Sequence, residues 1–248
     1  MRTSLRVLLV IGWLAASAGA AAAGYRQVAV ENGGAIEGRV RLAGTIPELP
    51  EQPVYTHAET CGKTVADERL VAAEDGALAN AVVYLRGIET GKAIPGEPVT
   101  IDNVRCRFVP HVSAATVGQT LAIHNSDPFL HDAHAWLGAK SLFNRALVKG
   151  ATVREVLAEP GLVHINCNVR HTWMQAYVFV ADDPYHAVTG ADGRFRIEDV
   201  PPGTYTVTMW HELVGSKDYR VSVTGGETTT VDGELAITAP PPDPGESR

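Results

Sequence analysis

The chain has 248 residues, a formal net charge of −7 and 45% hydrophobic residues. The acidic balance argues against nucleic acid or anionic lipid as a partner, and for a basic docking surface on any protein partner. The length suits one large domain or two small ones.

The first stretch, MRTSLRVLLVIGWLAASAGAAAAG, opens with Arg2 and Arg6, continues as an apolar run and ends in small residues. This is the pattern of a cleaved export signal over residues 1–23. The run is too short for a comfortable membrane span, and no later segment is apolar enough to supply one. The mature chain is therefore expected to carry no membrane span and to be periplasmic or secreted. Removing residues 1–23 takes away two arginines and no acids, which moves the charge from −7 to −9.

Three cysteines remain, Cys61, Cys106 and Cys167. An oxidising compartment favours pairing, and one of three must be left over. Cys167 alone has the neighbours of a metal ligand, so the expected disulfide is Cys61–Cys106 with Cys167 free. Closing that loop would stabilise the fold by about 4 kcal/mol in the chain-entropy picture.

From residue 34 onward the pattern is β. AIEGRVRL, ANAVVYL, VRCRFVPHV and QTLAIHN read as strands, with Leu121 and Ile123 on one face of the last. TVREVLAEPGLVHINC reads as two strands around Pro160-Gly161, followed by MQAYVFVA. ADGRFRIEDVPPGTYTVTMWH adds an Asp-Gly turn, a strand, a Pro-Pro-Gly turn and a long strand. There, Tyr205, Val207 and Met209 oppose Thr204, Thr206 and Thr208. Short strands separated by turn signals imply sandwiches or barrels. The tail, residues 239–248, has little to bury and is expected to be disordered.

Two stretches carry soft and imidazole donors. NSDPFLHDAH holds His131 and His134; INCNVRHTWM holds Cys167, His171 and Met174. One histidine from the first with Cys, His and Met from the second makes two imidazoles, a thiolate and an axial thioether, a set suited to a single copper ion. Zinc would favour further Cys or His in place of the thioether. Histidines three apart can both reach one ion in a turn or helix, so His134 stands as the alternate to His131. His124, His164 and His111 are expected to be surface or structural residues, and Trp136 and Trp173 to pack in the core or shield the site.

FVPHVSAATVGQTLAIHNSDPFLHDAH together with EPGLVHINCNVRHTWM resembles the cupredoxin pattern, over about residues 105–181. The resemblance implies a Greek-key β-sandwich with His131, Cys167, His171 and Met174 as ligands. The C-x3-H-x2-M spacing also resembles half of the binuclear copper loop of cytochrome oxidase subunit II. That loop needs a cysteine four positions before Cys167, where this chain has Val163, so a mononuclear centre is expected.

AVTGADGRFRIEDVPPGTYTVTMWHE resembles the carboxypeptidase regulatory-like module, a transthyretin-like sandwich. EGRVRL and NAVVYL look like its first strands. The expected layout is thus a copper domain over residues 98–182 inserted between residues 34–97 and 183–238 of the second sandwich. The Trp210-His211-Glu212 stretch lacks the second histidine of a zinc-protease motif, since position 215 is Gly215. The expected function is an exported, mononuclear copper protein that shuttles single electrons to a redox partner with a basic docking surface, a carrier and not an enzyme. The rivals are copper storage or delivery, and a metal-free binding module for carbohydrate or a cell surface.

Overall fold

The computed structural model describes residues 24–169 and 171–237; the expected export signal and the 239–248 tail lie outside them. Apart from the one-turn helix Ala58–Cys61, every regular element is a strand. Among the described residues no helix is long and apolar enough to cross a membrane.

Alternation of buried and exposed residues builds the first sandwich. In Thr120–Asn125, Leu121 and Ile123 are fully buried while Thr120 and His124 stay partly exposed, as side chains two apart share a face. This strand pairs in parallel with Val99–Asn103 and antiparallel with Thr152–Val156, in a four-stranded sheet that ends at Phe108–Val109. The facing sheet runs Lys140–Leu147, His131–Leu137, Gly161–Asn166, Gln175–Ala181 and Val112–Thr116. Ile101, Phe108, Leu121, Ile123, Ile165 and Val178 fill the space between the two sheets. Each fully buried side chain of this kind contributes about 1.5–3 kcal/mol.

Two stretches depart from the expected pattern. VRCRFVPHV is not one strand: Val104 and Arg107 exchange both backbone hydrogen bonds in a tight turn, with Arg105 and Cys106 at φ 51° and 58°. HDAHAW, where a turn or helix would let both histidines reach one ion, is the strand His131–Leu137.

The second sandwich has its own core around Ile36, Val83, Phe195, Ile197, Val207 and Met209. One sheet joins His186–Val188, Val82–Arg86, Gly203–His211 and Gly215–Val223; the other centres on Gly34–Ala43, flanked by Arg194–Val200 and by Thr228–Thr230 and Gly233–Ala236. The two N-terminal strands thus pair with C-terminal ones, with the first sandwich between them in sequence. Close backbone approach explains two glycines. A Cβ on Gly38 would lie 1.9 Å from the Val231 carbonyl oxygen, and Gly193 sits at φ +72° with the Val40 carbonyl 2.5 Å from where a Cβ would be. Thr208, expected to face outward, is buried because its hydroxyl donates to Asp218 at 2.8 Å and accepts from Arg86 at 2.8 Å.

The segment between Gly34–Ala43 and Val82–Arg86 does not stay with the second sandwich. Val54 and Cys61 pack into the core of the first, and a disulfide joins Cys61 to Cys106. Residues 54–61 form a strap tied across one end of the first sandwich.

Candidate metal centre

His131 is the first residue of its strand, and Cys167 and His171 follow the strand Gly161–Asn166. Both histidine Nδ1 atoms lie 3.8 Å from the Cys167 sulfur. All three residues are buried, and their donor atoms fall within 4.8 Å of one another. Metal–nitrogen and metal–thiolate bonds of about 2.0 and 2.3 Å, meeting near 120°, would place nitrogen and sulfur about 3.7 Å apart, so the spacing of the donors suits one ion. Met174 is buried on the same loop. The loop is closed by hydrogen bonds from Met174 N to the His171 carbonyl at 2.9 Å and from Cys167 N to the Met174 carbonyl at 3.3 Å.

Asp127 fixes the His131 ring. Nε2–H donates to its Oδ2 at 2.9 Å, leaving Nδ1 as a lone pair turned toward Cys167. A carboxylate behind a ligand imidazole sets tautomer and orientation. Asp127 is itself buried and accepts from the backbone amides of Arg105 at 2.7 Å and Cys106 at 2.8 Å. The left-handed conformation of those two residues aims both amides at one carboxylate. Sequence reasoning did not single out Asp127, whose one local mark is a carboxylate four residues before a candidate ligand.

His134 does not join the set. In a strand, positions three apart face opposite sides, and His134 points away from His131. Its Nδ1 accepts from Asn168 at 2.9 Å, its Nε2 donates to Ser141 at 2.9 Å, and its ring lies 4.0 Å from Trp136. Asn168 also bonds Asp132 through backbone and side chain, which ties the ligand loop to the His131 strand. His124 donates to or accepts from Thr152, and His164 stacks on Tyr177. His111, expected as a structural or exposed residue, is buried: Nδ1 donates to the Gln175 carbonyl at 3.0 Å and Nε2 meets Glu212. Burial disfavours its charged form, yet Glu212 prevails and holds His111 above the usual histidine range. Glu212, from the failed zinc-protease stretch, thereby links the two sandwiches.

Burial governs the titration of the three candidate ligands. It lowers His171 to about 4 and holds His131 below the usual range despite Asp127. It raises the Cys167 thiol to about 11, although the backbone amides of Asp132 and Val169 favour the thiolate. At neutral pH the imidazoles are therefore free to ligate, and the thiol must lose a proton to do so.

The strap roofs the centre. His57 stacks on Phe129 at 3.9 Å between ring centroids, and Phe129 lies 5.2 and 5.8 Å from His131 and His171. Trp173 stands edge-on to His171 at 5.3 Å and donates its indole N–H to the Cys106 carbonyl at 2.9 Å. His171 Nε2 is buried with no hydrogen-bond partner among the described residues.

Residues 173–236 match the carboxypeptidase regulatory-like domain. The matched stretch begins inside the ligand loop, and its first strand, Gln175–Ala181, pairs within the first sandwich. The rest of the regulatory-like module lies in the second. Partial structural likenesses are also found. The copper-containing nitrite reductase NirK from Thermus scotoductus SA-01 is 28% identical over 38% of this chain, with a TM-score of 0.33. The chain spans 24% of that enzyme. A purple cupredoxin from Nitrosopumilus maritimus is 24% identical over 34% of this chain and 99% of its own, with a TM-score of 0.30. A reduced amicyanin variant is 18% identical over 40% of this chain and 97% of its own, with a TM-score of 0.32. No curated protein matches by sequence.

Proposed function

We propose that the protein is an exported carrier that binds one copper ion and passes single electrons, without being an enzyme. The observation that carries this is the pair of 3.8 Å contacts from the two Nδ1 atoms to the Cys167 sulfur in a buried pocket. His131 and His171 would supply imidazole nitrogens, Cys167 the thiolate and Met174 a thioether sulfur. Copper held this way supplies a one-electron couple that both oxidation states can occupy. Asp127 keeps His131 oriented, Asn168 keeps the loop in place, and the strap keeps water away. Val163, buried in the core, leaves no thiolate for a second ion. The partner would be a redox protein with a basic surface, given the acidic chain.

One observation favours copper storage or delivery instead. His131 and His171 are both fully buried, so neither imidazole edge reaches solvent directly. Voltammetry of the copper-loaded chain separates the two readings. The carrier reading expects a reversible one-electron wave with fast electron exchange; tightly bound copper with no reversible wave would favour storage. Absence of stoichiometric copper would leave the binding-module reading.

A further inference from the structure

The disulfide that ties down the strap lies against the proposed copper ligands. The sulfurs of Cys61 and Cys106 and a ring nitrogen of His171 all fall within 4.8 Å of one another. His171 thus belongs to two clusters, one with His131 and Cys167 and one with the disulfide sulfurs. Its Nδ1 faces Cys167, while its Nε2 is buried with no hydrogen-bond partner among the described residues. A buried imidazole nitrogen left in that state is destabilising, and metal ligation is one way to satisfy it. The roof formed by His57 and Phe129 also closes the direct approach to His131 and His171.

We propose that, once an external dithiol has reduced the Cys61–Cys106 disulfide, the two freed thiolates and His171 form an entry site for Cu(I) beside the resident centre. The inference rests on the copper reading of the His131, Cys167 and His171 set. In the first step the disulfide takes two electrons and two protons from the dithiol, which leaves as its own disulfide. In the second, Cu(I) displaces the two thiol protons and is held by two thiolates and one imidazole, donors that suit a soft ion. Because His171 is common to both clusters, copper can pass toward Cys167 without leaving the protein. Once copper has moved on, an external disulfide takes two electrons and two protons from the cysteine pair and leaves as a dithiol, which re-forms the Cys61–Cys106 bond and restores the strap over the filled centre.

The test uses full-length C167A, which removes the resident thiolate and reads the entry site alone. The protein is reduced with dithiothreitol, desalted under argon and titrated with Cu(I) in competition with a colorimetric chelator. The expected result is one Cu(I) bound at least about tenfold more tightly by reduced than by oxidised C167A, with the gain abolished by adding C61S. Equal affinity of the reduced and oxidised forms, or no effect of C61S, would overturn the proposal. A measurement without substitutions guards against misfolding: in the reduced natural chain, Cu(I) should slow alkylation of both Cys61 and Cys106, read by peptide mass. Alkylation at an unchanged rate would count against the site. Failure of the resident centre would show separately, as absence of a thiolate-to-copper band in the oxidised natural chain.

Discussion

Asp127 joins three parts of the molecule that the sequence keeps apart. It accepts from the Cys106 turn, lies in the loop after Thr120–Asn125, and receives the Nε2–H of His131. D127N puts an amide where three donors converge, so one amide hydrogen must oppose an N–H. Copper affinity should then fall about 10–100-fold with the fold retained, as a chelator competition would measure; unchanged affinity would remove Asp127 from the site. The ligands' proton affinities give a second expectation. Metal-free Cys167 titrates at about 11 and His171 at about 4, so between those limits copper displaces one proton, that of the thiol. Apparent affinity should rise about tenfold per pH unit across the neutral range, and calorimetry in buffers of different ionisation enthalpy should count one proton released. The ligand types and their spacing could be read from the chain because soft donors cluster within a few positions. Asp127 could not, since its importance comes from two backbone amides in left-handed conformation.

At the scale of elements, secondary structure separates His131 from His134. A turn would have let both point at one ion; the strand His131–Leu137 sends them to opposite faces. H134A should therefore leave the copper spectrum unchanged, whereas H131A should abolish or shift it; a spectrum that follows His134 would contradict the assignment. Strands such as Thr120–Asn125 were legible from apolar residues two apart, Leu121 and Ile123. VRCRFVPHV was misleading because its alternation continues through a turn that long-range contacts impose. Gly38 is a further element-level test. A Cβ there would meet the Val231 carbonyl at 1.9 Å, and two paired backbones would have to separate. G38A should cost about 1–3 kcal/mol, read from the urea midpoint, with little effect on the copper centre.

For the whole molecule, the two sandwiches share a contact built from Tyr84 against Phe179, at 4.4 Å between ring centroids, and from the His111–Glu212 pair. Strand content and turn signals pointed to two sandwiches, and the likeness of EGRVRL and NAVVYL to first strands pointed to their pairing with the C-terminal half. The crossing of residues 54–61 to the other sandwich had no local signal beyond cysteine parity. Burial also shapes acid stability. It holds His186 and His211 at about 4, against about 6.5 in an unfolded chain. On acidification the unfolded chain gains these protons first, so stability should be full above pH ~6.5, fall between about 6.5 and 4, and level off below. H186Q should flatten that fall in urea titrations at several pH values; an unaltered slope would exclude His186 as a contributor. The central claim, one copper ion on Cys167 between His131 and His171, is tested most directly by adding Cu(II) to the oxidised full chain and recording its visible absorption. The account predicts an intense thiolate-to-copper band that saturates at one equivalent and is absent in C167A. No band, or a band that survives in C167A, would contradict it.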